Sequence, residues 1–80
     1  MKIQLLFFGI TTDLVGESSM SYEVPENSSI EALKLKLIAQ FASLKNINDF
    51  AIAVNESYAK DHQLLLNNDV VAIIPPVSGG

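Results

Sequence analysis

Residues 70–80, with the sequence VVAIIPPVSGG, are the stretch that is most informative about the fold. Val70–Ile74 is apolar at odd and even positions alike, which is typical of a strand covered on both faces. Pro75 and Pro76 then remove two backbone N–H donors and fix φ, so the sheet has to end there. We therefore expect a central strand that leads directly into a stiff exit and a slender terminal segment.

The N-terminal part of the chain predicts a β-hairpin. Apolar side chains recur at every second position in residues 2–9 and again in residues 18–24. In the first strand Ile3, Leu5 and Phe7 share one face, and the other face also carries apolar groups, so we expect it to be at least partly covered. The second strand has a single apolar face, formed by Met20, Tyr22 and Val24. Residues 11–17 are predicted to be the connection, with Gly16 in its turn.

A helix is predicted to follow the hairpin. Ser28 and Glu31 have the spacing of a capping box, in which each side chain bonds to a free backbone N–H at the helix start. Apolar residues then recur every three or four positions up to about residue 44, at Ile30, Leu33, Leu37, Phe41 and Leu44. This single apolar stripe can cover one face of a sheet.

The order of the predicted elements indicates an α+β fold. Residues 50–55 form a third short strand, residues 56–68 a polar connection, and residues 70–74 the last strand. One helix covering one sheet face is a two-layer arrangement, and the apolar first and last strands belong in the sheet centre. This describes a β-grasp, or ubiquitin-like, fold: a mixed sheet with one main helix packed on one face. We expect a β-grasp domain over residues 1–76 and a flexible tail over residues 77–80.

Composition excludes several classes of function. The 80 residues suffice for one domain, and their 49% hydrophobic content argues against a disordered chain. Five lysines, no arginine and nine acidic residues argue against binding nucleic acid or a membrane surface. With no cysteine and only His62, we expect no bound metal or cofactor and no catalysis by this chain alone. The first residues lack a cleavage pattern for secretion, so we expect a cytoplasmic protein.

The C-terminal residues are the strongest functional candidate. The four residues after Pro76 can reach about 13 Å, at about 3.3 Å per residue. Gly79 and Gly80 lack a Cβ and can enter a slot too narrow for other residues. Such a tail could deliver its carboxylate to another protein's active site, where adenylation would activate it. An ordinary disordered chain end is the alternative, and the rigid Pro-Pro pair argues against it.

Four stretches resemble one family. They are Phe7-Phe8-Gly9, Ala53-Val54-Asn55, the Asp61-His62 pair and residues 68–80. Together they resemble the small subunits of molybdopterin synthase, β-grasp sulfur carriers of the MoaD/ThiS type. The resemblance spans the whole chain, and the terminal Pro-Pro-Val-Ser-Gly-Gly is its most specific element.

This resemblance implies a specific chemistry at Gly80. An adenylyltransferase of the ubiquitin-activating type would use ATP to adenylate the Gly80 carboxylate, and a sulfur donor would convert it to a thiocarboxylate. The large synthase subunit would then accept the tail, formed by Pro75, Pro76, Val77, Ser78, Gly79 and Gly80. There the sulfur would pass to precursor Z, and two transfers would build the dithiolene that binds molybdenum or tungsten. The resemblance also implies a heterotetramer of two large and two small subunits.

The resemblance further assigns a partner interface. The family's apolar contact positions correspond to Phe8, Tyr58 and Ile74, which we expect to form one exposed patch. The alternative is that Phe8 fills a small second core under residues 56–68. This chain departs from the family at Thr12, where an arginine is common, and at Ile73-Ile74, where two phenylalanines are common.

Two other functions remain open at this point. One is a sulfur carrier for thiamine thiazole synthesis; the Pro-Pro-Val-Ser sequence and the length of residues 56–68 favour molybdopterin instead. The other is a ubiquitin-like modifier joined through Gly80 to lysines of target proteins, which shares the adenylation step. His62 beside Asp61 is interpreted as a surface turn or loop anchor, and Ser78 as a slim tail residue, since no general base is near it in sequence.

Overall fold

The computed structural model describes residues 1–46 and 50–76. It contains strands, two α-helices and one 3-10 helix, in the order β1 (Lys2–Phe7), α1 (Ile10–Val15), β2 (Ser19–Glu23), α2 (Ile30–Gln40), the 3-10 helix (Ala42–Asn46), β3 (Ala51–Val54), β4 (Ser57–Tyr58) and β5 (Val70–Ile74). Neither α-helix is long and apolar enough to cross a membrane, a finding that covers the described ranges alone.

The strands form one mixed sheet in the order β2-β1-β5-β3-β4. The first and last strands are parallel neighbours, with Leu5 opposite Val71 and Phe7 opposite Ile73. The other strand pairs are antiparallel. The prediction of a β-grasp sheet with β1 and β5 at its centre is therefore confirmed.

The core lies between α2 and one face of the sheet. Its buried residues come from every layer and include Ile3, Leu5 and Phe7 of β1, Ile30, Leu33 and Leu37 of α2, and Val71 and Ile73 of β5. Tyr22 and Val24 close the core on the β2 side, as the alternation in the sequence predicts. The strand residues that alternate with these core residues point to the opposite face of the sheet, because successive side chains of a strand point to opposite faces.

The start of α2 differs from the predicted capping box. The N-cap is Ser29, whose hydroxyl oxygen accepts a hydrogen bond from the backbone N–H of Ala32 at 3.1 Å. The Ser28 hydroxyl instead donates to the Pro25 carbonyl at 2.6 Å, which closes the turn after β2. The helix begins one residue later because its first N–H groups already have partners in the loop at residues 61–63.

The end of α2 also differs from the prediction of one helix reaching residue 44. The helix stops at Gln40, and Phe41 leaves helical geometry with φ −117° and ψ 82°. The following 3-10 helix has a tighter turn, and it still returns Leu44 to the core, where that side chain is fully buried. Phe41 packs edge-on against Phe7, with ring centroids 6.3 Å apart.

Two predicted connections contain regular structure. Residues 11–17 were expected to be a loop, but α1 lies between two glycines with positive φ, Gly9 and Gly16, which turn the chain at its ends. Within residues 56–68, β4 pairs with β3 through a two-residue turn at Asn55 and Glu56, both with positive φ. The turn lacks the usual glycine, so the sequence signal for this hairpin is weak.

Candidate functional site

The sheet face opposite α2 carries a continuous apolar surface. Seven side chains from four strands and the residue after β1 line it: Leu6, Phe8, Ala53, Tyr58, Val70, Ala72 and Ile74. We call this set the apolar face. Glu56 lies at its rim and adds an acidic group. Apolar surfaces of this kind, bordered by polar residues, are typical of protein docking sites.

The three predicted interface residues, Phe8, Tyr58 and Ile74, all belong to the apolar face. Phe8 is 48% exposed and Tyr58 is 75% exposed. Residues 56–68 therefore do not enclose Phe8, as the alternative of a second small core would require. The strand register brings Phe8 and Ile74 together, because β1 and β5 run parallel and end side by side.

A polar network positions one side of the apolar face. The Asn55 side chain donates to Asp69 Oδ1 at 3.0 Å and accepts from the Val70 backbone N–H at 3.0 Å. The other carboxylate oxygen of Asp69, a buried residue, accepts from the Leu66 N–H at 2.8 Å. The network ties the β3–β4 turn to the start of β5, so it fixes Tyr58 relative to Val70. Sequence reasoning placed Asn55 at the end of the third strand, residues 50–55, and missed its role in this network.

Pro75 and Pro76, which lead to the tail, lie next to Ile74 of the apolar face. Pro75 and Pro76 directly follow β5, and an ideal Cβ placed on Gly9 would lie 3.1 Å from Pro75 Cγ. Gly9 and Pro75 are therefore packed against each other at the ends of the central strands. The remaining predicted tail residues, Val77, Ser78, Gly79 and Gly80, lie outside the described part of the chain.

Two threonine hydroxyls fasten the end of β1. Thr11 is fully buried; its hydroxyl oxygen accepts from the Phe8 N–H at 3.0 Å, and the hydroxyl donates to the Phe8 carbonyl. The Thr12 hydroxyl donates to the Phe7 carbonyl at 2.9 Å. Thr12, which stands at the position of the family's common arginine, thus bonds within its own domain. Sequence reasoning did not identify Thr11, whose burial depends on α1 folding over the strand ends.

The Asp61-His62 pair belongs to a different part of the molecule. Asp61 accepts from Lys34 Nζ of α2 at 2.9 Å, and its backbone carbonyl accepts from the Glu31 N–H at 2.9 Å. These bonds hold the loop against α2, as expected of a loop anchor, and His62 is exposed. Within residues 1–46 and 50–76, no three His, Cys, Asp or Glu residues are grouped to hold a metal ion.

Comparison with known sequences gives a match over nearly the whole chain. Residues 5–80 match the sequence model of the ThiS family. A molybdopterin synthase sulfur carrier subunit from Arabidopsis thaliana is 31% identical over 81 residues, which covers 100% of this chain and 84% of that protein. The match includes the segment after β5 as well as the domain.

Solved structures have the same fold. A Pyrococcus furiosus protein provisionally named molybdopterin converting factor subunit 1 gives a TM-score of 0.88 at 26% identity, over 96% of this chain and 99% of that one. A chain in the Helicobacter pylori complex of subunits 1 and 2 of molybdopterin-converting factor gives a TM-score of 0.70 at 26% identity. The match covers 100% of both chains.

Proposed function

This chain belongs to the ThiS family, and we propose that it is the sulfur carrier subunit of molybdopterin synthase. The observation that carries the proposal is the similarity over the full chain to a protein of that name, which extends through Pro75-Pro76-Val77-Ser78-Gly79-Gly80. The geometry adds support, because a tail that must enter a partner needs a domain that docks beside it. Phe8 and Ile74 of the apolar face directly precede Gly9 and Pro75, where the chain leaves the two central strands.

The first chemical step activates the Gly80 carboxylate. Inside an adenylyltransferase of the ubiquitin-activating type, a carboxylate oxygen attacks the α-phosphorus of ATP and pyrophosphate leaves. Hydrosulfide then attacks the acyl carbon, AMP departs with the bridging oxygen, and a thiocarboxylate and a proton result. No electron is gained or lost when sulfur arrives at the oxidation level of sulfide. ATP is used by the activating partner and is not held by this chain.

The second step passes the sulfur to the pterin substrate, precursor Z. The tail enters the active site of the large subunit, where the thiocarboxylate sulfur attacks a carbon of the substrate. The bond from that carbon to an oxygen substituent breaks, and the oxygen group leaves with the electron pair. Water then cleaves the acyl–sulfur bond and restores the Gly80 carboxylate. Two such transfers complete the dithiolene. A carrier whose sequence contains no cysteine has to hold its sulfur at the backbone terminus, which supports this assignment of Gly80.

The apolar face is the proposed contact with the large subunit. Phe8, Tyr58 and Ile74 would form its centre, with aromatic side chains of the kind that dominate interface energies. The related Helicobacter pylori protein is in a complex of subunits 1 and 2, which supports a partner of this class. We place two copies of this chain on a dimer of large subunits, as a heterotetramer in the cytoplasm.

Intact mass spectrometry tests the carrier chemistry. Incubation with the activating enzyme, ATP and inorganic sulfide should raise the mass by the difference between sulfur and oxygen. Deletion of Gly80 should abolish the change, because the new chain end no longer aligns with the adenylate site. Adding the large subunit and precursor Z should return the original mass.

Two results would contradict the proposal. Adducts on protein lysines in place of a mass change would favour a ubiquitin-like modifier. A thiocarboxylate that reacts with a thiazole precursor and not with precursor Z would assign the chain to thiamine synthesis.

A further inference from the structure

We infer that Gly9 is a positioning residue for the tail: the absence of a side chain at this residue seats Pro75 and so sets the direction of the Pro75-Pro76 segment that leads to the tail. The inference rests on the proposed function, because this direction matters only if Gly80 has to reach a partner's active site. Gly9 itself touches no reacting atom.

The backbone at Gly9 has a conformation that favours glycine. Its φ of 54° and ψ of −137° lie where L-residues with a Cβ are strained. Phe8 and Gly9 join the end of β1 to the first turn of α1, and the conformation of Gly9 makes the turn over the strand ends.

A side chain at Gly9 would meet the start of the tail. An ideal Cβ would lie 3.1 Å from Pro75 Cγ and 3.8 Å from Pro75 Cδ. Carbon atoms in favourable contact are about 3.5 to 4.0 Å apart, so Pro75 would have to move. Pro75 and the following Pro76 both have φ fixed by their rings, and a shift of Pro75 is therefore passed along the backbone.

The strands cannot separate easily to make room. The Phe8 N–H lies 3.2 Å from the Ile73 carbonyl oxygen and 3.0 Å from the Thr11 hydroxyl oxygen. Thr11 Oγ1 also lies 3.5 Å from the Ile73 carbonyl oxygen, and this threonine is fully buried. The residues just before Gly9 and just before the end of β5 are thus bonded together, which leaves Pro75 as the group that yields.

Gly16 provides a matched control. It also has positive φ, 89°, at the other end of α1, but nothing lies within 4 Å of the Cβ it would carry. Gly9→Ala and Gly16→Ala therefore both place a Cβ at positive φ, and of the two only Gly9→Ala presses on Pro75; the double variant described below separates this contact from the backbone strain at Gly9.

The test compares docking with sulfur transfer. Each variant is prepared as its thiocarboxylate by cleaving an intein fusion with sulfide, which avoids dependence on the activating enzyme. Titration against the large subunit gives the dissociation constant, and single-turnover reaction with precursor Z at saturating large subunit gives the transfer rate. Gly9→Ala should transfer about tenfold or more slowly with an unchanged dissociation constant, because small displacements of a reacting group are costly. Gly16→Ala should match the original protein in both measurements.

The double variant Gly9→Ala/Pro75→Ala isolates the contact. Pro75→Ala removes Cγ and Cδ, so adding Gly9→Ala to it should cause little further loss of rate. A transfer rate for Gly9→Ala equal to that of Gly16→Ala would overturn the inference and leave the proposed function intact. Failure of the unaltered protein to transfer sulfur would overturn the proposed function itself.

If Gly9→Ala alone does not fold, thermal unfolding of the double variant Gly9→Ala/Pro75→Ala shows whether the contact with Pro75 is the cause. Recovery of a cooperative transition supports the contact with Pro75. No recovery would assign the loss to backbone strain at Gly9 and would overturn the contact as its cause.

Discussion

At the scale of single residues, small polar side chains position the apolar face. Thr11 fastens the end of β1, and Asn55 joins the β3–β4 turn to Asp69 and Val70. Thr11 bonds to the backbone of Phe8, three residues away, whereas Asn55 bonds to groups 14 and 15 residues away. The large apolar residues would provide the contact with a partner, but these smaller ones determine where the contact surface lies.

Replacing Asn55 by alanine should lower the free energy of unfolding. The change removes two hydrogen bonds, to Asp69 Oδ1 and from the Val70 N–H, and leaves a buried carboxylate with fewer donors. A loss of about 1 to 2 kcal/mol is expected, measured by urea unfolding. Asn68→Ala is the control, because Asn68 also has positive φ (70°) and is also exposed, but its side chain takes no part in the hydrogen bonds to Asp69 Oδ1 and from the Val70 N–H. Equal losses in the two variants would assign the effect to backbone conformation alone.

At the scale of elements, the edge strand β2 is held to α2 by side chains. The Tyr22 hydroxyl donates to Gln40 Oε1 at 2.7 Å, and Lys36 Nζ donates to the Glu23 carbonyl at 2.7 Å. Lys36 Nζ also lies 5.1 Å from the centre of the Tyr22 ring. These contacts join the helix to the sheet at the edge that is remote from β4.

This arrangement predicts a specific loss of stability in alkali. Burial raises the pKa of Tyr22 above its ordinary value of 10.0. The unfolded chain therefore loses this proton at lower pH than the folded protein does. The stability that Tyr22 contributes is complete below pH 10 and is lost as pH rises through the raised pKa of the folded state.

Tyr22→Phe should make the free energy of unfolding fall less steeply above pH 10. Below that pH it should cost about 1 kcal/mol, because the hydrogen bond to Gln40 is lost. Urea unfolding at a series of pH values measures both effects. Tyr58→Phe, at an exposed phenol, is the control. Identical pH profiles for Tyr22→Phe and the unaltered protein would contradict the prediction.

At the scale of the whole molecule, the two sheet faces have separate roles. One face packs on α2 and forms the core, while the other presents the apolar face next to Pro75. Folding and the proposed docking therefore involve different side chains of the same strands. If the apolar face is the docking surface, we expect substitutions on it to weaken a partner's binding without unfolding the domain.

Phe8→Ser should weaken binding to the large subunit at least about tenfold, as expected for an aromatic residue near an interface centre. Titration calorimetry measures the affinity, and thermal unfolding should remain unchanged because Phe8 is 48% exposed. Ile10→Ser is a matched control, since Ile10 is 55% exposed but lies on α1 outside the apolar face. Equal affinities for the two variants would show that the apolar face is not the docking surface.

The amino-acid sequence alone determined the strand faces, the main helix and the central position of β5. These follow from local patterns with periods of two and of three to four residues, which depend only on neighbouring residues. The predicted interface residues Phe8, Tyr58 and Ile74 came from a family resemblance, which carries tertiary information that periodicity lacks.

The tertiary structure decided where these parts meet. The parallel register of β1 and β5 places Phe8 beside Ile74 and Gly9 beside Pro75, across more than sixty residues of sequence. The tertiary structure also provides loop carbonyls as acceptors for the N–H groups at the start of α2, in place of the predicted Ser28 capping box. It also folds Ile10–Val15 into a helix. The physical reason is the same in each case: a backbone N–H or a buried hydroxyl bonds to whichever acceptor folding brings near, and local sequence does not specify that acceptor.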